Sequence, residues 1–200
     1  ASSKFINLLR EAYLGYTVLR PIWPPTLGRT FIKVPERVNG LRAFFPTKVE
    51  FPVNLCGIKL TVDASPYISQ DHLVMACATA SLWMANTSLA TKIGVRQLTT
   101  SEITAMALSL NTPYGPAMGG RGLRLDEEEK AFCAIGYDPK LYEFPEAPHL
   151  METCYVHVVG GSPPVLNIFF PAQQVNDVTM EGLHALTVVG HLMDTHARIN

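Results

Sequence analysis

Apolar residues recur at every second position early in this chain and at every third or fourth position in its middle. Gly57-Ile58-Lys59-Leu60-Thr61-Val62 alternates apolar and polar side chains, the pattern of a half-buried strand. Ala76, Ala80, Trp83, Met84 and Thr87 are spaced as one face of a helix, because 3.6 residues make a turn. The two periods occupy separate segments, and the texture changes near residue 70. The order of the segments then limits the fold further.

Residues 1–69 are proline-dense and hold short β-type runs at Gly15–Leu19, Thr30–Val34, Lys48–Val53 and Cys56–Val62, after one short helix over Lys4–Tyr13. Residues 1–65 are expected to form a β-rich extension or arm. Helical texture begins after Gln70. Thr99-Thr100-Ser101-Glu102 fits a capping box ahead of a helix over Ile103–Leu110. Asn111–Gly122 reads as a surface loop. Asp126-Glu127-Glu128-Glu129 places acid in a first helical turn, where the helix dipole favours it, and reads as a solvated face. Gly136 suits the end of that helix. A further helix is expected across His149–Val159, stopped by Gly160-Gly161. Val165–Phe170 and Leu183–Val189 read as strands. Helices first and strands last predict an α+β domain over 66–200 rather than a doubly wound parallel sheet. Trp83, Met84, Phe132, Phe169 and Phe170 are expected in its core.

Composition narrows the function. Charged residues are 16% of the 200, the hydrophobic class is 48%, and the formal net charge is −1. Such a chain has ample core material and lacks the basic footprint of a nucleic-acid partner. No apolar run approaches the length of a membrane span, and the first residues show no apolar core of a secretory signal. Cys56, Cys77, Cys133 and Cys154 form no C-x-x-C pair, so free thiols in a reducing, cytoplasmic setting are expected and a structural zinc site is not.

Two residues stand out chemically. Cys77 opens the predicted central helix, where unpaired N–H groups and the positive dipole end favour a thiolate; the alternative is a small buried hydrophobe. His184 begins the run His-Ala-Leu-Thr-Val-Val-Gly-His, where a strand would hold an imidazole stiffly; the alternative is a packed strand-end histidine. His184, His191, Asp194 and His196 do not have the spacing of a helical zinc motif. Met118-Gly119-Gly120-Arg121-Gly122 lacks the Gly-Lys-Ser/Thr ending of a phosphate loop. No cofactor is expected.

Gln70-Asp71 with Cys77-Ala-Thr-Ala-Ser81-Leu-Trp-Met84, followed by Gly182-Leu-His184-Ala-Leu-Thr-Val-Val-Gly190, resembles the papain-like cysteine peptidases. The likeness is closest to the bacterial peptidases that cut double-glycine leader peptides, and it covers about residues 65–193. It implies a central helix, Cys77–Leu89, packed on an antiparallel sheet. It also implies a peptide or protein substrate, Cys77 as nucleophile, His184 as general base and Gln70 as an oxyanion donor. Ala78 stands where many relatives have Gly. The orienting Asp or Asn of such enzymes belongs on a strand after the histidine strand, and the tail shows no complete strand. Asp194, on an expected turn, and Asn200 are the candidates within the chain; otherwise the catalytic domain continues beyond it or lacks an internal piece. A transglutaminase-like acyl transferase uses the same pair, and a non-catalytic papain-like binding or assembly module is the alternative of another class.

Overall fold

The computed structural model describes residues 3–21, 27–69, 77–108, 122–144, 146–175 and 178–194, with backbone alone for 170–183. Helix α1 (Ser3–Ala12) leads into strands β1 (Gly15–Leu19), β2 (Leu27–Ile32), β3 (Arg37–Val38), β4 (Leu41–Phe44), β5 (Val49–Leu55), β6 (Ile58–Ala64) and β7 (Tyr67–Ile68). Helices α2 (Cys77–Ile93), α3 (Thr100–Leu108), α4 (Leu125–Ile135) and α5 (Ala147–Val159) follow, then β8 (Val165–Val175), β9 (Val178–Thr187) and β10 (His191–Met193). The chain is an α+β protein, and every strand pairing among the described residues is antiparallel.

The β5–β6 hairpin shows how the alternating pattern becomes packing. Val49, Phe51, Leu60, Val62 and Ala64 point into the core, while Glu50, Lys59, Thr61 and Asp63 face solvent. Leu55 pairs with Ile58, leaving Cys56 and Gly57 as a two-residue turn. Both have positive φ, 50° and 86°, as a type I′ turn requires. Asn39 and Gly40 make the same turn between β3 and β4, with φ of 51° and 82°.

Core side chains come from both halves of the chain. Phe31, Val49, Phe51, Val62 and Ala64 pack with Leu82, Trp83, Leu98, Ile103, Ala107 and Ala131. Phe31 is central, with ring centroids 4.2 Å from Phe51 and 6.2 Å from Trp83. The core therefore continues across residue 65. Helix α2 is buried nearly all round, which its Ala, Ser and Thr residues permit by letting neighbours approach closely. Trp83 is in the core as expected, and Phe132 and Met84 pack against it. Phe169 is not: it is 59% exposed, although Val165 and Asn167 on the same face of β8 meet the core and Glu128.

Local signals hold at the helix ends. The Thr99 hydroxyl accepts from the Glu102 N–H at 3.2 Å, and the Glu102 carboxylate accepts from the Thr99 N–H at 2.8 Å, which is the expected capping box. Gly136 closes α4 in the left-handed conformation, φ 106°. The tail differs from expectation. His191–Met193 is a strand, paired with Phe44, Ala43 and Arg42 of β4. Three residues are too few to show a period, and the partner strand lies far away in sequence. A Cβ at Gly190 would collide with the Phe44 carbonyl oxygen, so the close approach that starts β10 needs glycine. The Thr47 hydroxyl donates to the Val189 carbonyl at 2.6 Å and ties the same corner down.

Candidate functional site

Cys77 is the first residue of the 17-residue helix α2 and is half-buried. The next turn of that helix is fastened to β9. The Ser81 hydroxyl donates to the Ala185 carbonyl at 2.9 Å, and the Thr187 hydroxyl donates to the Ser81 carbonyl at 2.9 Å. Ala185 follows His184 directly. The β8–β9 register sets Asn167 opposite Ala185 and Ile168 opposite His184. The tip of α2 and the His184 segment are thus held together by residues from three elements.

A cavity of about 70 Å³ opens beside Cys77. Its walls are Cys77, Ala78, Leu123, Leu125, Glu128, Asn167 and Ala185. Ala185 and Thr187 share the face of β9 turned to α2. Strand alternation assigns His184 to the other face, with Leu186. His184 is half-buried and is not a wall of this cavity.

Glu128 supplies the charge at the cavity wall. It is only 5% exposed, and its carboxylate accepts from the Asn167 amide at 2.9 Å. Burial pushes its carboxyl up from the ordinary value, with the Asn167 hydrogen bond acting the other way. The neighbouring cations of α4 are committed elsewhere: Arg124 and Lys130 each reach the Asp126 carboxylate at 3.0 Å. Glu127, also 5% exposed, caps the helix by accepting from the Arg124 N–H at 2.8 Å. The expectation of a wholly solvated acidic turn is therefore corrected at Glu127 and Glu128. The sequence held the signal. Glu128 stands three, four and seven residues before Ala131, Phe132 and Ile135, the residues by which α4 meets the core, so it heads the inward stripe.

Of the other expected site residues, Gln70 and Asn200 lie outside the described residues, as do residues 118–121 of the glycine-rich segment and His196. Asp194 follows β10 and is exposed. His191 is stacked on Phe44, 5.2 Å between centroids, with Tyr155 edge-on at 5.0 Å. Among the described residues no three His, Cys, Asp or Glu side chains gather as a metal site would need. None of the four cysteines forms a disulfide, and burial pushes the Cys154 thiol up. No described helix is long and apolar enough to cross a membrane.

No family model matches this chain, and neither a curated protein nor a solved structure matches it.

Proposed function

We propose that this protein is a cysteine peptidase, with Cys77 as nucleophile and a peptide or protein as substrate. The observation that carries this reading is the Ser81–Ala185 hydrogen bond, which fastens the helix opened by Cys77 to the residue after His184. In the proposed reaction, the His184 imidazole takes the thiol proton. The thiolate adds to the substrate carbonyl carbon. The oxyanion is met by the Cys77 backbone N–H, at the positive end of α2, and by the Gln70 amide. The tetrahedral intermediate collapses, the imidazolium protonates the departing amine, and an S-acyl enzyme remains. Water, deprotonated by the same imidazole, releases the acid and restores the thiol. Asp194 is the proposed orienting residue for His184.

The test is alkylation by iodoacetamide at neutral pH, followed residue by residue by mass spectrometry. Cys77 is expected to react at least tenfold faster than exposed Cys56, since the thiolate is the attacking form and His184 draws off the thiol proton. His184→Ala is expected to bring it back to the Cys56 rate. Equal rates in the unaltered protein overturn the reading.

One observation favours a non-catalytic scaffold instead: Ala185 and Thr187 occupy the face of β9 toward α2, and alternation sets His184 with Leu186. On that reading His184→Ala leaves the Cys77 rate unchanged.

A further inference from the structure

The cavity beside Cys77 contains an imbalance. Its walls are mostly apolar, yet Glu128 brings a carboxylate into them, nine-tenths buried and more. Asn167 satisfies one carboxylate oxygen. Among the described residues it is the side-chain partner of Glu128, and no described cation neutralises the charge. A buried carboxylate without a cation is expensive to maintain. A carboxylate needed only for structure would be paired, as neighbouring Glu127 is by Arg124.

We propose that this cavity receives a compact primary ammonium group of the peptide substrate, with Glu128 as its anionic partner and Asn167 holding the carboxylate in place. The proposal rests on the reading of Cys77 as the nucleophile, since it makes the cavity a specificity pocket for the bond that Cys77 attacks. Size restricts the ligand. The volume, about 70 Å³, is roughly half the ~150 Å³ that accommodates a benzene ring. A short aminoalkyl arm fits and an aromatic side chain does not. Leu123, Leu125 and Ala185 would cover the methylene groups. A guanidinium, planar and broader, fits less well than an ammonium. Burial raises the Glu128 carboxyl, and an arriving cation reverses that by favouring the ionised form.

The test uses two thiol reagents of equal length, aminoethyl and hydroxyethyl methanethiosulfonate. Each forms a mixed disulfide with a cysteine thiolate and releases methanesulfinate, so the arm is delivered from Sγ into the cavity. Rates at Cys77 and at exposed Cys56 are read by mass spectrometry on the intact chain. The amino-to-hydroxy rate ratio at Cys77 is expected to exceed that at Cys56 by about tenfold, the size of a charge-assisted hydrogen bond. Glu128→Gln is expected to reduce the Cys77 ratio to the Cys56 value. The unaltered protein decides the matter even if that variant does not fold. Equal ratios at the two cysteines overturn the ammonium pocket, as does a preference that survives Glu128→Gln. A Cys77 that reacts with the hydroxyethyl reagent no faster than Cys56 overturns the nucleophile instead, and the ratio still reads the pocket.

Discussion

Replacing Ser81 by Ala tests the contact on which the site is built. Ser81 is fully buried, and its hydroxyl donates to the Ala185 carbonyl at 2.9 Å. Removing the donor leaves a buried acceptor short of a partner, which costs about 1–3 kcal/mol. Alanine returns about 0.5 kcal/mol through its better helix propensity. The net loss is about 0.5–2.5 kcal/mol. Unfolding entropy near 2.1 cal/mol/K per residue gives about 0.4 kcal/mol/K for a chain of this size, so Tm should fall by about 1–6 °C. Thermal unfolding followed by circular dichroism measures this directly. Thr187→Val removes the reciprocal bond to the Ser81 carbonyl, and the double variant should show a coupling of at least about 0.5 kcal/mol. Slower alkylation of Cys77 should accompany the loss, because the tip of α2 is then less firmly set against β9. A Tm within about 1 °C of the unaltered protein, or strict additivity with Thr187→Val, would refute the claim that these hydroxyls fasten helix to strand.

Three further outcomes follow from other contacts. Glu128 holds its proton more tightly in the folded state, so its contribution makes stability fall as pH rises from the ordinary 4.5 through the raised folded value; urea midpoints of Glu128→Gln should gain on the unaltered protein as pH rises above 4.5, and a growing deficit would contradict the burial argument. Glu102 is drawn down to about 2 by the Thr99 N–H and hydroxyl and by Arg96, so the stability it provides is present above 4.5 and disappears as pH falls toward 2; Glu102→Gln should flatten the acid limb of a urea titration, and Thr99→Ala should cost about 1 kcal/mol at neutral pH. Cys56 occupies a left-handed position next to Gly57; Cys56→Asn should raise stability by about 0.5 kcal/mol, and a loss would mean that the turn is not type I′.

Much of the fold is written locally. The Gly57–Val62 alternation became β6, and the Ala80–Thr87 spacing became part of α2. Thr99 and Glu102 marked the start of α3, and Gly136 the end of α4. Such signals are readable because their causes lie within one turn or one strand. Asn39-Gly40 carried an equally plain hairpin signal, but the strands it joins are too short to show a period. Phe169 misled for a related reason: a run of apolar residues does not reveal which positions along one face of a strand are covered. In the candidate site, Cys77 and His184 could be named from residue type and position, whereas Glu128 was hidden within a run of four acids.

Sequence alone determined the longer elements and their order, because propensity, capping and periodicity act between neighbours. Tertiary structure decided which acid turns inward, which late residues return to β4, and what stands beside Cys77. Those outcomes depend on contacts such as Ser81 to Ala185, 104 positions apart, and on the β8–β9 register that brings Asn167 to Glu128. No local pattern encodes contacts of that span; they arise only when separate elements compete to bury the same surface.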